Sequence, residues 1–173
     1  MKILFSSILV ISLFFINLAF SEQSIAFIDM NKVISVSNSG SSILRQLNEL
    51  NNKNLKFLKD QEKKFKEKEI KLISQKNIIS EIDFKKKVEE LKYEIKNYNQ
   101  NRNKIIADFN KLKVDNTDKL LKLVNPIIVK FSNEKKISII LQKKNLVVAK
   151  TELDITDEII KIVNTEIKQF KIK

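Results

Sequence analysis

The chain has 173 residues, with one glycine, one proline, and no cysteine, histidine or tryptophan. At average usage, about 7% Gly and 5% Pro, it would hold about twelve and nine, so tight turns and Gly-rich phosphate loops are nearly excluded and long helices are expected. Without His or Cys there is no Cys/His zinc site, no haem ligation through His and no imidazole-activated nucleophile, while 33 Lys and Arg against 21 Asp and Glu give a net charge of +12.

Such a surplus raises nucleic acid, anionic membrane or an acidic protein as partner classes. Its other source is a composition rich in Lys, Asn and Ile throughout. The first residues read as an export leader: Lys2 precedes the apolar run Ile3 to Phe20, and Ala19-Phe20-Ser21 places small residues around a cleavage site before Glu22. The run is also just long enough to serve as an uncleaved anchor. Removal of residues 1–21 takes away one base and no acid, leaving 152 residues with a charge of +11. The expected location is then outside the cytoplasm, where ATP is absent, the cysteine-free chain gains no disulfide, and nucleic acid is not the native partner.

Ile25 to Met30 is a short β-compatible run, Asn31 to Val36 a candidate helical turn, and Ser37 to Ser42 a small-polar cluster offering a serine N-cap. From Ile43 to about Phe131 little interrupts a helix except the polar interval 74–83 and Pro126. The downstream half carries a heptad through Phe84, Val88, Leu91, Ile95, Tyr98, Arg102, Ile105, Phe109, Leu112, Asn116, Lys119 and Leu123. Upstream, Leu44, Leu47, Leu58, Phe65 and Leu72 fit one seam, whereas Asn51, Asn54, Gln61 and Lys68 fill its alternating positions, and Leu55, Phe57 and Ile70 fall off it. Two such stretches predict an antiparallel helical hairpin with its tip near 74–83. A first helix of about 34 residues would be roughly 50 Å long, so the hairpin should project as an arm.

Pro126 is expected to kink or restart the helix. Beyond it, Ile137 to Leu141 and Leu146 to Ala149 flank a four-residue polar interval and predict a β-hairpin. Asp154 to Glu158 offers capping groups for a last helix with the apolar face Ile155, Ile159, Ile160, Val163 and Ile167. The expected class is α+β: a leader at 1–21, a small β-rich oligomerisation body from 22–42 and 126–173 with a C-terminal helix, and a coiled-coil arm at 43–125. Three short strands per chain bury too little surface to stand alone, which points to oligomerisation through the body.

The sequence resembles the Skp/OmpH family of periplasmic chaperones over essentially its whole mature length. The stretches that carry the resemblance are Ile25 to Val33, Ile79-Ser80-Glu81 with the basic helix after it, and Leu153 to Ile160. The resemblance implies a jellyfish-shaped homotrimer whose three helical arms hang from a β-structured body and enclose a cavity for unfolded outer-membrane β-barrel proteins.

Candidate contacts follow from the arm and the strands. Residues 45–113 hold 19 Lys or Arg against 11 Asp or Glu, which puts most of the surplus charge on the arm. Lys63, Lys64, Lys66 and Lys68, with Lys85, Lys86 and Lys87 beside the tip, are candidates for attraction to acidic client segments or to anionic lipid or lipopolysaccharide; a solvated helix face is the plain alternative. Phe57, Phe65, Leu72, Ile73 and Phe84 are candidate apolar client contacts or hairpin core. Ile25, Phe27, Ile139, Leu141 and Val147 are candidates for the oligomer contact. Asp29 and Asp154 have no neighbouring nucleophile or base in sequence, so no catalytic residue, metal or cofactor is expected and the chain reads as no enzyme. The expected function is an ATP-independent holdase, with a coiled-coil envelope spacer or tether as the alternative.

Overall fold

The computed structural model describes residues 24–173, so the expected leader lies outside the described residues. In chain order the elements are β1 (Ser24–Ile28), α1 (Met30–Val36), α2 (Asn38–Ser74), α3 (Glu81–Glu134), β2 (Ile137–Gln142), two single 3₁₀ turns (Lys143–Asn145 and Thr151–Leu153) and α4 (Thr156–Glu166). Most of the described chain is helical, and the sheet has two strands.

Short polar side chains start the first three helices. Asp29 accepts from Lys32 N at 3.0 Å, Ser37 Oγ from Gly40 N at 3.2 Å and Ser80 Oγ from Asp83 N at 3.1 Å, each filling a backbone donor that the first helical turn leaves open. Ser80 Oγ also donates to Asp83 Oδ2 at 2.6 Å, a reciprocal cap at the arm tip. At Gly40 the backbone of Ile34 passes so close that an added Cβ would sit 1.7 Å from its carbonyl oxygen. The lone glycine therefore lets α1 fold back against the first turn of α2.

α2 has 37 residues and α3 has 54, about 55 and 80 Å of helix. They pair as an antiparallel hairpin, its turn spanning residues 75–80. On α3, Phe84, Val88, Leu91, Tyr98, Ile105, Phe109 and Leu112 are half-buried and follow the heptad. Beyond them the seam departs from it: Asn116, Leu120, Val124, Ile127 and Phe131 are buried, whereas Lys119 and Leu123 are exposed. A straight helix has 3.6 residues per turn, so a strict seven-residue pattern drifts around it. Here three four-residue steps in succession, from Leu112 through Asn116 and Leu120 to Val124, take up the drift as α3 turns its apolar stripe from α2 toward the body.

Of the expected kink or restart at Pro126, the restart is overturned: α3 runs through the proline as one helix. The proline removes one helical hydrogen bond, and the buried Leu120, Val124, Ile127 and Phe131 flank it. The β-hairpin does not form. β2 pairs in parallel with β1, Ile25 beside Ile139 and Phe27 beside Leu141, while Leu146 to Ala149 lies outside any strand. Parallel strands need a long crossover, and the whole arm is that crossover.

The core lies where the hairpin meets the sheet. Val33, Leu120, Val124, Ile159 and Val163 are wholly buried, joined by Ala26 and Ile28 from β1 and Ile43 and Leu47 from α2. Each such side chain contributes about 1.5–3 kcal/mol by leaving water. The expected apolar face of the last helix supplies its share, with Ile155, Ile159, Ile160, Val163 and Ile167 all buried.

Candidate functional site

Two surfaces gather the candidate residues: the arm, and the outer face of the sheet. On the arm, the half-filled seam of α2 sorts its apolar side chains into two groups. Phe65, Leu72 and Phe84 are half-buried in the seam between the helices; the Phe65 ring lies 5.3 Å from that of Tyr98, whose hydroxyl donates to Glu62 Oε1 at 2.9 Å. Burial, and then the Glu62 carboxylate, raise the Tyr98 phenol above its usual range. These contacts make the three residues hairpin core first. Phe57 and Ile73 face outward, 44% and 63% exposed.

Other outward apolar residues join them. Leu55 and Ile70 are 56% and 60% exposed, and Ile78 in the tip turn and Ile82 just past it are 79% and 81% exposed. Leu55 and Ile73 are eighteen residues apart, about five full turns, so they share one flank of the seam with Ile70. Phe57 lies on the other flank. The departure of Leu55 and Ile70 from the heptad was the sequence signal for this; Ile78 and Ile82 carried none, because nothing in a turn's spacing tells which way its side chains point.

The seven candidate lysines are all exposed. Lys63 pairs with Glu67 at 3.9 Å, Lys85 with Glu81 at 2.8 Å, and Lys68 crosses to Glu94 on α3. Lys87 donates to Gln75 Oε1 at 3.1 Å across the turn. Lys64, Lys66 and Lys86 make no ion pair among the described residues. The arm therefore presents unneutralised positive charge between patches of exposed apolar surface.

The sheet presents a second apolar face. Partners in parallel register share a side, and alternate residues change sides, so Ala26, Ile28 and Ile140 point into the core while Ile25, Phe27, Ile139 and Leu141 point away from it. Ile25, Ile139 and Leu141 are 40–45% exposed, and Phe27 is buried beneath the Lys143 ammonium, 5.8 Å from its ring centroid. Val147 is fully exposed on the connection after β2, outside the face that the other four share.

Asp29 and Asp154 meet, but as a structural joint. Asp29 N donates to Thr156 Oγ1 at 2.9 Å, and Thr156 gives both its hydroxyl and its backbone N–H to Asp154 Oδ1. Lys143 Nζ holds Asp154 Oδ2 at 3.1 Å, and Ile155 N donates to Phe27 O at 3.0 Å. Partial burial pushes the Asp154 carboxyl up, but the bonds from Thr156 and Lys143 outweigh it and leave the group below the usual carboxylate range. The joint pins the end of β1 to the start of α4. Among the described residues no three acidic side chains gather as metal ligands would, and no helix is long and apolar enough to cross a membrane.

The family model described as outer membrane protein (OmpH-like) matches residues 24–163. The fold matches a crystal structure described as a candidate outer membrane chaperone (OmpH-like) from Caulobacter crescentus CB15, with a TM-score of 0.74 at 14% identity, covering 87% of this chain and 89% of that one. No curated protein matches this chain.

Proposed function

Because this chain belongs to the OmpH-like outer membrane protein family, we propose that it is an ATP-independent holdase chaperone of the periplasm that keeps unfolded outer-membrane β-barrel proteins from aggregating and delivers them to the outer membrane. The observation that carries this reading is the exposed apolar set on a lysine-rich arm, Leu55, Phe57, Ile70 and Ile73. A monomeric soluble protein rarely leaves large apolar surface open without a partner. An unfolded barrel strand offers alternating apolar side chains, and several partial, mobile contacts hold it without fixing its conformation. The unpaired lysines Lys64, Lys66 and Lys86 add long-range attraction to acidic segments of the client or to an anionic lipid or lipopolysaccharide surface.

In this reading three copies join through the face of Ile25, Ile139 and Leu141, with Phe27 beneath, and the three arms enclose the client. A two-stranded sheet with one uncovered apolar face is a poor independent structure, which supports assembly through it. The test is direct. The mature protein, in excess over an outer-membrane β-barrel diluted from urea, is expected to suppress the rise in light scattering. Scattering that rises as it does without the protein would overturn the reading.

A further inference from the structure

Beyond α4 the chain continues outside any helix or strand over residues 167–173, leaving α4 through an extended Ile167, and this stretch follows the residues that the family model matches. It lies across both helices of the arm. Ile167 is buried, and Phe170 and Ile172 pack half-buried against the core. Gln46 of α2 reads its backbone at two points: Nε2 donates to Phe170 O at 3.0 Å, and Oε1 accepts from Ile172 N at 3.3 Å. On α3, Lys119 Nζ stands 4.4 Å from the Phe170 ring centroid, and the buried Asn116 donates to Leu112 O at 2.7 Å and reaches Lys173 O at 3.4 Å.

α4 itself grips α3 further down. Ile127 and Phe131 of α3 and Ile162 of α4 line one small cavity of about 190 Å³, and Lys130 pairs with Glu166 at 3.7 Å. The core itself reaches up α3 to the wholly buried Leu120, and from Leu120 to Asn116 is four residues, about 6 Å of helix. The stretch after α4 therefore carries the body's hold on the arm outward by about one further turn.

We propose that residues 167–173 are a strap that fixes the angle at which the arm leaves the body, and so sets the width of the space the arms enclose. The second clause rests on the chaperone reading; the first does not. Without the strap the pivot of the arm retreats from Asn116 to the core residue Leu120, and α2 loses the hold on Gln46. The arm above Asn116 is about 54 Å long, so about 10° of added freedom sweeps the tip by about 9 Å. Past the buried Ile167 the hold consists of hydrogen bonds, the Lys119 ammonium over Phe170 and half-buried side chains, which can open locally while the core beneath α4 stays closed.

The chain has no cysteine, so a spin-label pair can be placed cleanly at Lys86→Cys beside the tip and Lys161→Cys on α4, with labelled chains diluted into unlabelled ones. In the full chain, Phe170→Ala with Ile172→Ala, and separately Gln46→Ala, are expected to broaden or shift the distance distribution by about 5 Å or more, from the same lever arm. Lys171→Ala is expected to leave it alone. If the double replacement lowers helix content, Gln46→Ala decides, since it removes no apolar surface. A parental distribution in Gln46→Ala at a parental melting temperature would overturn the strap. A failure of the parent to protect a client would end the chaperone reading and leave the distance result standing.

Discussion

Lys136 carries a positive φ of 56°, directly after the C-cap of α3. This left-handed position is where helices commonly place glycine, and a side chain there costs about 1–2 kcal/mol. The chain tolerates it because the turn must aim β2 back along β1. Lys136→Gly is expected to raise stability by about 0.5–1 kcal/mol, measured by urea denaturation; a lower midpoint would show that the lysine makes a contact of its own. Asp154 gives the opposite case. Its carboxyl is held below the usual range in the folded chain, so the stabilisation it contributes is present above the unfolded value, about pH 4, and is lost as pH falls through the folded one. Asp154→Ala is expected to cost about 1–2 kcal/mol at pH 7, because it leaves Thr156 and Lys143 without the carboxylate they donate to. The gap between parent and variant should close below about pH 4, checked by melting across pH.

At the scale of the element, α2 divides its labour between seam and flanks. Leu55, Phe57 and Ile73 face water, and replacing all three by Ser should leave the melting temperature nearly unchanged, since exposed sites are usually within about 0.5 kcal/mol each. Protection of a diluted β-barrel should nonetheless fall severalfold in the scattering assay; full protection would remove these side chains from the client surface. Phe65→Ser should behave the other way, costing about 2 kcal/mol of stability, less than full burial of a phenylalanine would imply, because the ring packs on Tyr98. The heptad made the arm legible in the sequence, but which apolar residues are surplus to the seam depends on how far each helix is rotated toward its partner. Phe65 and Leu72 fit the upstream pattern and are in the seam; Phe57 and Ile73 do not and are outside it.

For the whole molecule, the exposed sheet face is the feature that a single chain leaves unfinished. If copies join through this face as proposed, Ile139→Asp places a charge in the apolar layer they would share and is expected to give single chains in sedimentation; an unchanged mass would refute that contact. The sequence by itself determined the arm. Breakers are scarce between Gly40 and Pro126 and the apolar spacing is helical, so local hydrogen bonding and a repeating stripe specify two long helices wherever the chain places them. It also marked the start of α2, through the serine cluster that holds Ser37, since a cap acts within four residues; that Asp29 and Ser80 cap α1 and α3 came from the structure. Only the tertiary structure decided what joins at the base of the arm. Ile137 to Leu141 has two available partners in the sequence, the nearby run at 146–149 and the distant β1, and local pattern cannot choose between them. Parallel pairing prevails because the arm brings β1 and β2 side by side and lets Ala26, Ile28 and Ile140 bury one common face on the helices. The same limit hid the place of Phe170 and Ile172. Their spacing of two is compatible with a strand but names no partner, and their role arises from Gln46, Asn116 and Lys119, which lie far away in the chain and come together when the two helices of the arm align.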